Sequence, residues 1–376
     1  MSAFPPFCPN IDCDFHEPVE DRDRWFIKRG SHPNRLVGPV QRFRCKACGK
    51  TFSTRTFSVH FATQLPIDLM RLLRSVNSAS GIRDMAREFG VSEKVILNRL
   101  RRMARQALGL HAEMRRGMLL KEDLTADGFE SFVGSQYWPN NFTLLVGAES
   151  QYLYSVDYAQ LRRKGRMTAT QRHRRDELRR SVALASSQTE RSFARIVTEM
   201  GYLWGSGTQK PVMTLATDRH PSYRRVLTGD QELAERTASG QFVHLRVDSR
   251  SPRTQTNPLF SVNYFDREIR KDQACHVRET VQWSRDVNHA MDRMWLYGVW
   301  HNCFKARRIR DPSQKTHAEH AGVPRGLLER GKRRFLTRRY FFSHLSFSDS
   351  MWRTWVRGWL TPGKLIAPRL PAYVMA

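Results

Sequence analysis

Three aspartates and four cysteines are the residues whose types and spacing could do chemistry in this sequence. Asp127 lies in DLTADGFESF, Asp218 in PVMTLATDRH and Asp266 in NPLFSVNYFDREIRKDQACHVRETVQWSRD, with separations of 218 − 127 = 91 and 266 − 218 = 48 residues. The first two segments read as short strands and the third, 257–286, as one long helix. Cutting a phosphodiester requires an activated oxygen nucleophile, a stabilised leaving oxygen and in-line geometry. Two divalent ions about 3.5–4 Å apart supply all three, and carboxylates are the ligands that Mg2+ prefers. Two strand-borne acids followed by a helix-borne one therefore suggest a centre for two Mg2+ ions, with Asp127, Asp218 and Asp266 as ligands.

Cys8 and Cys13 form C-x4-C, and Cys45 and Cys48 form C-x2-C. Paired cysteines on two tight knuckles, separated by a polar, strand-rich span, are the arrangement of a zinc ribbon, in which four thiolates meet at one tetrahedral point. Gly49 suits the sharp turn after Cys48. The first spacing is wider than the usual x2, and His16 is an alternative ligand to Cys13. A bound Zn2+ would stabilise a module too small to fold on its own core. Its outer face, with Arg42, Arg44, Lys46, Lys50 and Arg55, would contact phosphates or a partner domain.

The elements between and after these groups must position them. Over 61–115, apolar residues recur at helical spacing, and Gly90 separates a helix ending near Phe89 from one that starts after Ser92 and runs to about Gln106. This is the pattern of a helix-turn-helix, whose second helix would offer Lys94, Asn98, Arg99 and Arg102 to the major groove. From about Leu119 three neighbouring strands are expected, then a basic loop and helix over 161–181, a helix over 189–204, the strand of Asp218, a helical or mixed segment, the strand 241–250 and the helix of Asp266. This order is that of an RNase H-like fold, with Asp127 on the first strand and Asp218 at the end of the adjacent fourth. The expected fold class is α+β or α/β multidomain: a zinc ribbon (1–60), a helix-turn-helix (61–115), an RNase H-like mixed sheet flanked by helices (116–305) and a basic, aromatic, helical C-terminal tail (306–376).

Composition narrows the partner. A chain of 376 residues with a formal net charge of +27 meets a polyanion, most commonly nucleic acid. No apolar run approaches the ~18 residues of a spanning helix, so no membrane role is expected. Six cysteines, four of them clustered within the first fifty residues, argue for a reducing, cytoplasmic compartment rather than a disulfide framework. No phosphate-binding or dinucleotide glycine motif is present, so ATP is not implied.

The paired-cysteine N-terminus, the helix-turn-helix, TADGF, ATDRH-PSY and NYFDREIRKD…VRETVQWSRD, in this order over roughly 1–305, resemble a DDE-type transposase of a bacterial insertion sequence. The resemblance implies that the first two modules bind double-stranded DNA at element ends, and that the RNase H-like domain cuts and joins DNA with Mg2+, with a homodimer acting on paired ends. In that family the last acid, usually Glu, lies about a turn before an N-x3-R pattern. Laid on Arg270 and Arg278, the register places Asn263 where the Glu would be. Asp266, one turn on, shares its face, and Glu279 is the alternative third acid. Arg219 and His220, beside Asp218, and Arg267, Arg270 and Arg278, near the helix-borne acid, are the expected phosphate contacts. A zinc-containing DNA-binding regulator that has lost chemistry is the competing reading, and a structural protein of a nucleoprotein particle is a third.

Overall fold

The computed structural model describes residues 5–17, 25–34, 37–116, 118–180, 182, 184–205, 210–277, 280–364 and 370–375. Arg278 and Glu279 lie outside the described residues.

The chain opens with a three-stranded antiparallel sheet, β1 (Phe26–His32), β2 (Val40–Cys45) and β3 (Thr51–Ser53), in the order β1-β2-β3. Its core is small: Trp25, Phe26, Phe43 and Phe52 pack around Cys8, Cys13 and Cys45. Phe26 meets Phe43 edge-on at 5.1 Å, and Trp25 stacks on Phe52 at 5.6 Å.

Three helices follow: α1 (Leu69–Val76), α2 (Ile82–Phe89) and α3 (Glu93–Arg115). The Asp68 carboxylate caps α1 by accepting the Arg71 N–H, and α2 stops at Gly90, which takes the left-handed conformation at φ +61. Unlike the expected helix ending near Gln106, α3 continues to Arg115, because ALGLHAEM has no proline and is apolar on more than one face; Gly109 sits inside the helix where Tyr340 packs too closely for a Cβ. From Met103 to His111 every residue of α3 is buried, so this helix is a central spine packed against three later helices.

A five-stranded mixed sheet then forms from β4 (Leu124–Val133), β5 (Ser135–Gly147), β6 (Leu153–Gln160), β7 (Met213–Asp218) and β8 (Phe242–Val247), in the order β6-β5-β4-β7-β8. β4, β5 and β6 are an antiparallel meander, while β7 lies parallel to β4 and β8 parallel to β7. Helices α4 (Ala169–Arg180) and α5 (Gln188–Gly205) connect β6 to β7, and α6 (Pro221–Gly229) and α7 (Gln231–Ala238) connect β7 to β8. After β8 come α8 (Phe260–Asp272), α9 (Val287–Val299), continued by a wider π turn over Trp300–Phe304, α10 (His317–His320), α11 (Arg325–Thr337) and α12 (Asp349–Trp355).

The single helix expected over 257–286 is therefore shorter: only Phe260–Asp272 is helical, Cys275 lies in the turn that follows, and α9 begins at Val287, beyond the expected span. α8 ends because Gln273 is extended (φ −118, ψ 120) and its amide donates to Asn77 Oδ1 at 2.9 Å and to the Arg293 carbonyl at 3.0 Å. One continuous hydrophobic core runs from Val59 to Val374. The helices of 61–115, the mixed sheet and the tail all share it, with α11 and α12 packed on α3. Among the described residues, no helix is long and apolar enough to cross a membrane.

Candidate functional site

The sheet register brings the strand-borne acids together. β4 and β7 pair in parallel at Leu124–Leu215 and Thr125–Ala216. The same register carried two residues further sets Asp127 level with Asp218, just where the two strands cease to pair. The carboxyl ends of adjacent parallel strands open a crevice of this kind, and polar groups collect in it.

α8 supplies the third acid. Val262, Phe265 and Ile269 form its buried stripe, and Asp266, four residues after Val262, lies on that stripe, turned toward β4 and β5. Burial pushes the Asp266 carboxyl well above its ordinary range, and the charge of Asp127 adds to the shift, while Arg270 and Arg253 oppose it. The Asp127 carboxyl is pushed up to about 6, first by burial and then by Asp218, against the Gly128 N–H and Arg253. Asp127 is thus the acid linked to both others: Asp218 acts on it, and it acts on Asp266. Asp266 Oδ1 is sealed from solvent and has no hydrogen-bond partner. Asp127 Oδ1 accepts only the adjacent Gly128 N–H, at 2.7 Å. Oxygen-only donors, mutual repulsion and an orphaned buried carboxylate oxygen together fit a hard divalent cation. Residue 128 must be glycine, since a Cβ there would stand 2.3 Å from Asn141 Oδ1.

Two residues at this centre escaped sequence reasoning. Tyr223, buried on the first turn of α6, has its hydroxyl held well above its ordinary pKa by burial and by Asp127, Asp218 and Asp266, so it stays a neutral donor. Its signal was the PSY that follows ATDRH. Arg253, exposed between β8 and α8, is a cation whose field reaches Asp127 and Asp266. No local pattern singles it out.

The flanking basic residues divide. Arg267 is exposed, with its guanidinium 5.1 Å from the Tyr264 ring. Arg270 donates to the Glu130 carbonyl at 3.0 Å and lies 4.4 Å over the Phe129 ring, tying α8 to β4. Arg219 is exposed and pairs with Asp248 at 2.9 Å. His220 caps α6, its Nδ1 accepting the Ser222 N–H at 3.3 Å, while its own N–H donates to Asp218 Oδ1 at 2.8 Å. Glu268 is tied to Lys271 at 2.9 Å and to Lys305.

On α3, Lys94 and Asn98 are exposed, as expected of groove-reading residues. Arg99 and Arg102 require correction. Arg99 is only 4% exposed and donates to the Leu65 carbonyl, and Arg102 donates to the Phe61 carbonyl and, at 2.8 Å, to the Tyr373 hydroxyl. Both turn inward toward the segment that precedes α1, Arg99 to Leu65 and Arg102 to Phe61, and Arg102 also meets Tyr373 of the tail.

The four cysteines do converge. Their sulfurs all lie within 4.8 Å of one another, with Cys8–Cys48 and Cys13–Cys45 each at 3.6 Å, and they could hold a metal ion such as zinc. A tetrahedron with Zn–S bonds of about 2.3 Å has edges of about 3.8 Å. Gly49, at φ +71, turns the second knuckle, its N–H donating to the Cys45 carbonyl at 3.2 Å. His16, the alternative to Cys13, is engaged elsewhere: Nδ1 bonds the Cys8 carbonyl at 2.8 Å and Nε2 the Ser343 hydroxyl at 2.6 Å. Among the described residues, this is the one group of three or more metal-ligating side chains whose donor atoms all lie within 4.8 Å of one another. The aspartates are spread more widely than that.

No model of a known protein family matches the chain, and no curated protein matches it.

Proposed function

We propose that this protein is a DNA transposase, with an RNase H-like centre that cuts and joins strands at Asp127, Asp218 and Asp266, and with a zinc ribbon and helix-turn-helix that hold double-stranded element ends. The observation that carries the reading is the meeting of two strand-borne acids and one helix-borne acid at the open ends of adjacent parallel strands, in a chain of net charge +27. The strand order, with the first strand central between the second and the fourth, supports the RNase H-like assignment.

Asp127, Asp218 and Asp266 would hold two Mg2+ ions, which when bound supply a Lewis acid for both the attacking and the leaving oxygen. Asp266 Oδ1 offers a lone pair that no protein donor uses. Asp127, which is linked to both other acids, would be a ligand shared with each of them in holding the ions. Arg253 and Arg267, exposed on either side of Asp266 in sequence, bind and orient the scissile strand by its phosphates. Tyr223 keeps its proton and donates a hydrogen bond within the site. Lys94 and Asn98 present themselves to the major groove, and zinc on the four cysteines holds the ribbon.

The test is a strand-cleavage and strand-joining assay on a duplex carrying the terminal sequence of the element that encodes the chain. Products that form with Mg2+ or Mn2+ and not in divalent-free buffer are expected. Tight end binding without any product would instead favour the regulator.

A further inference from the structure

A groove of about 530 Å3 separates the cysteine module from the C-terminal segment, far in sequence from the aspartates. Its walls carry His32, Arg42, Lys50 and Arg339, together with the rings of Phe61 and Tyr373, and among the described residues no Asp or Glu lines it. His32 Nδ1 is sealed and has no partner. Arg339 and Tyr373 also line a smaller cavity of about 40 Å3 behind the groove, where Arg99, Arg102 and Arg105 converge.

These buried arginines are unusual in their company. Among the described residues, Arg55, Arg99, Arg102, Arg105 and Arg339 make no ion pair with a carboxylate. Backbone carbonyls hold them: His60 and Thr63 for Arg55, Leu65 for Arg99, Phe61 for Arg102, Trp355 for Arg105 and Tyr373 for Arg339. Arg99 is pushed down to about 10 by burial and by the neighbouring Arg102 and Arg55; Arg339 is likewise pushed down to about 10 by burial and by Arg102. Arg55 Nε and Arg99 Nε are sealed without partners. Carbonyl dipoles satisfy hydrogen bonds but leave the charge uncompensated, and low-dielectric walls focus the resulting field into the adjoining groove. The missing partner is an anion. The volume is that of a nucleotide-sized ligand and far below that of a duplex. Arg339 stands 5.2 Å from the centre of the Phe61 ring and 5.3 Å from that of Tyr373, and the ring surface left toward the groove can meet a base.

We propose that this groove takes one unpaired nucleotide of a DNA strand, its phosphate against Arg42, Lys50 and Arg339 and its base against Phe61 and Tyr373. The assignment rests on the reading of the chain as a DNA-cutting enzyme, and places a holding site for a displaced or cut strand away from the aspartates.

The experiment uses the full chain with Arg42→Glu plus Lys50→Glu, both exposed, and the remote exposed pair Arg308→Glu plus Arg310→Glu as a control of equal charge change. Zinc content and melting temperature verify that each variant is folded. Fluorescence anisotropy measures affinity for a single-stranded oligonucleotide, the same strand with one abasic position, and a duplex, with inorganic phosphate as competitor. The groove variant should lose tenfold or more in single-strand affinity where the control loses threefold or less. The abasic strand should bind more weakly to wild type, and 5-iodouracil should crosslink to the peptides of Phe61 or Tyr373. Equal losses in the two variants overturn the proposal. So does abasic binding as tight as normal combined with displacement by phosphate, which would make the groove an anion site only. Cleavage of duplex ends is followed in parallel. Wild-type cleavage with unaltered single-strand binding by the groove variant removes the groove and leaves the enzyme; groove-dependent binding without cleavage does the reverse.

Discussion

Asp127 bears a charge that the fold does not compensate without a cation. Its carboxyl is pushed from 3.8 to about 6, so between those values the folded chain holds a proton that the unfolded chain has released. Stability from this group therefore falls as pH rises through that window, and the penalty is fully present above pH 6. The shift corresponds to a few kcal/mol at most, and discounted for partial exposure it is on the order of 1–2 kcal/mol. Asp127→Asn should raise Tm at pH 7.5 in divalent-free buffer and leave it nearly unchanged at pH 3.5. Added Mn2+ should raise the wild-type Tm and not that of the variant. A strong chelator is avoided, because it would also strip the cysteines. Equal melting of the two proteins at pH 7.5 would show that the acids do not repel. These residues were largely legible: TADGF and ATDRH mark strands by their apolar runs, and Asp218 ends its strand as expected, whereas β4 runs on past Asp127 to Val133. Tyr223 and Arg253 were not, because their relation to the acids comes from the return of α6 and of the 248–259 segment across the sheet, not from any local spacing.

Among the elements, α3 separates what periodicity can tell from what it cannot. Ser92 and Gly90 located its start, and an apolar stripe was evident. Which arginines faced solvent depended on the return of the 61–65 segment against Arg99 and Arg102 and on Tyr373, 271 residues beyond Arg102. Lys94→Ala and Asn98→Ala should weaken binding to element ends in a gel-shift titration by about 1 kcal/mol or more while leaving Tm within a degree or two. Arg99→Ala, which removes a buried side chain bonded to the Leu65 carbonyl, should cost about 1 kcal/mol in denaturant unfolding. The reverse pattern would return Arg99 to the groove-reading face. The end of α8 was similarly hidden, since Gln273 is fixed by Asn77 and Arg293 and no Gly or Pro announces the stop. The knuckles were the clearest elements of all, because cysteine spacing is itself geometry. With a core of seven buried residues, β1 to β3 should depend on metal. One zinc per chain is expected by atomic emission, and Cys45→Ser should lose both the zinc and the hydrogen-exchange protection of 26–53. Protection retained without metal would contradict a ribbon held by zinc.

At the scale of the whole molecule, the order of strands predicted the observed sheet, with the first strand between the second and the fourth. The divisions between segments were less legible, because charge and pattern shifts near 61, 116 and 305 conceal a core continuous from Val59 to Val374. Helix α3 belongs to that core, so on the proposed reading DNA held at Lys94 and Asn98 would be coupled to the sheet that carries Asp127. The account stands most directly on the strand-cleavage and strand-joining assay, run with Mn2+ on the terminal duplex and comparing wild type with Asp127→Asn, Asp218→Asn, Asp266→Asn and Glu279→Gln. Loss of at least a hundredfold in the first three, with end binding intact and with Glu279→Gln active, is the predicted result. Activity in Asp266→Asn equal to wild type would contradict it and move the third ligand from α8 to Glu279 or elsewhere.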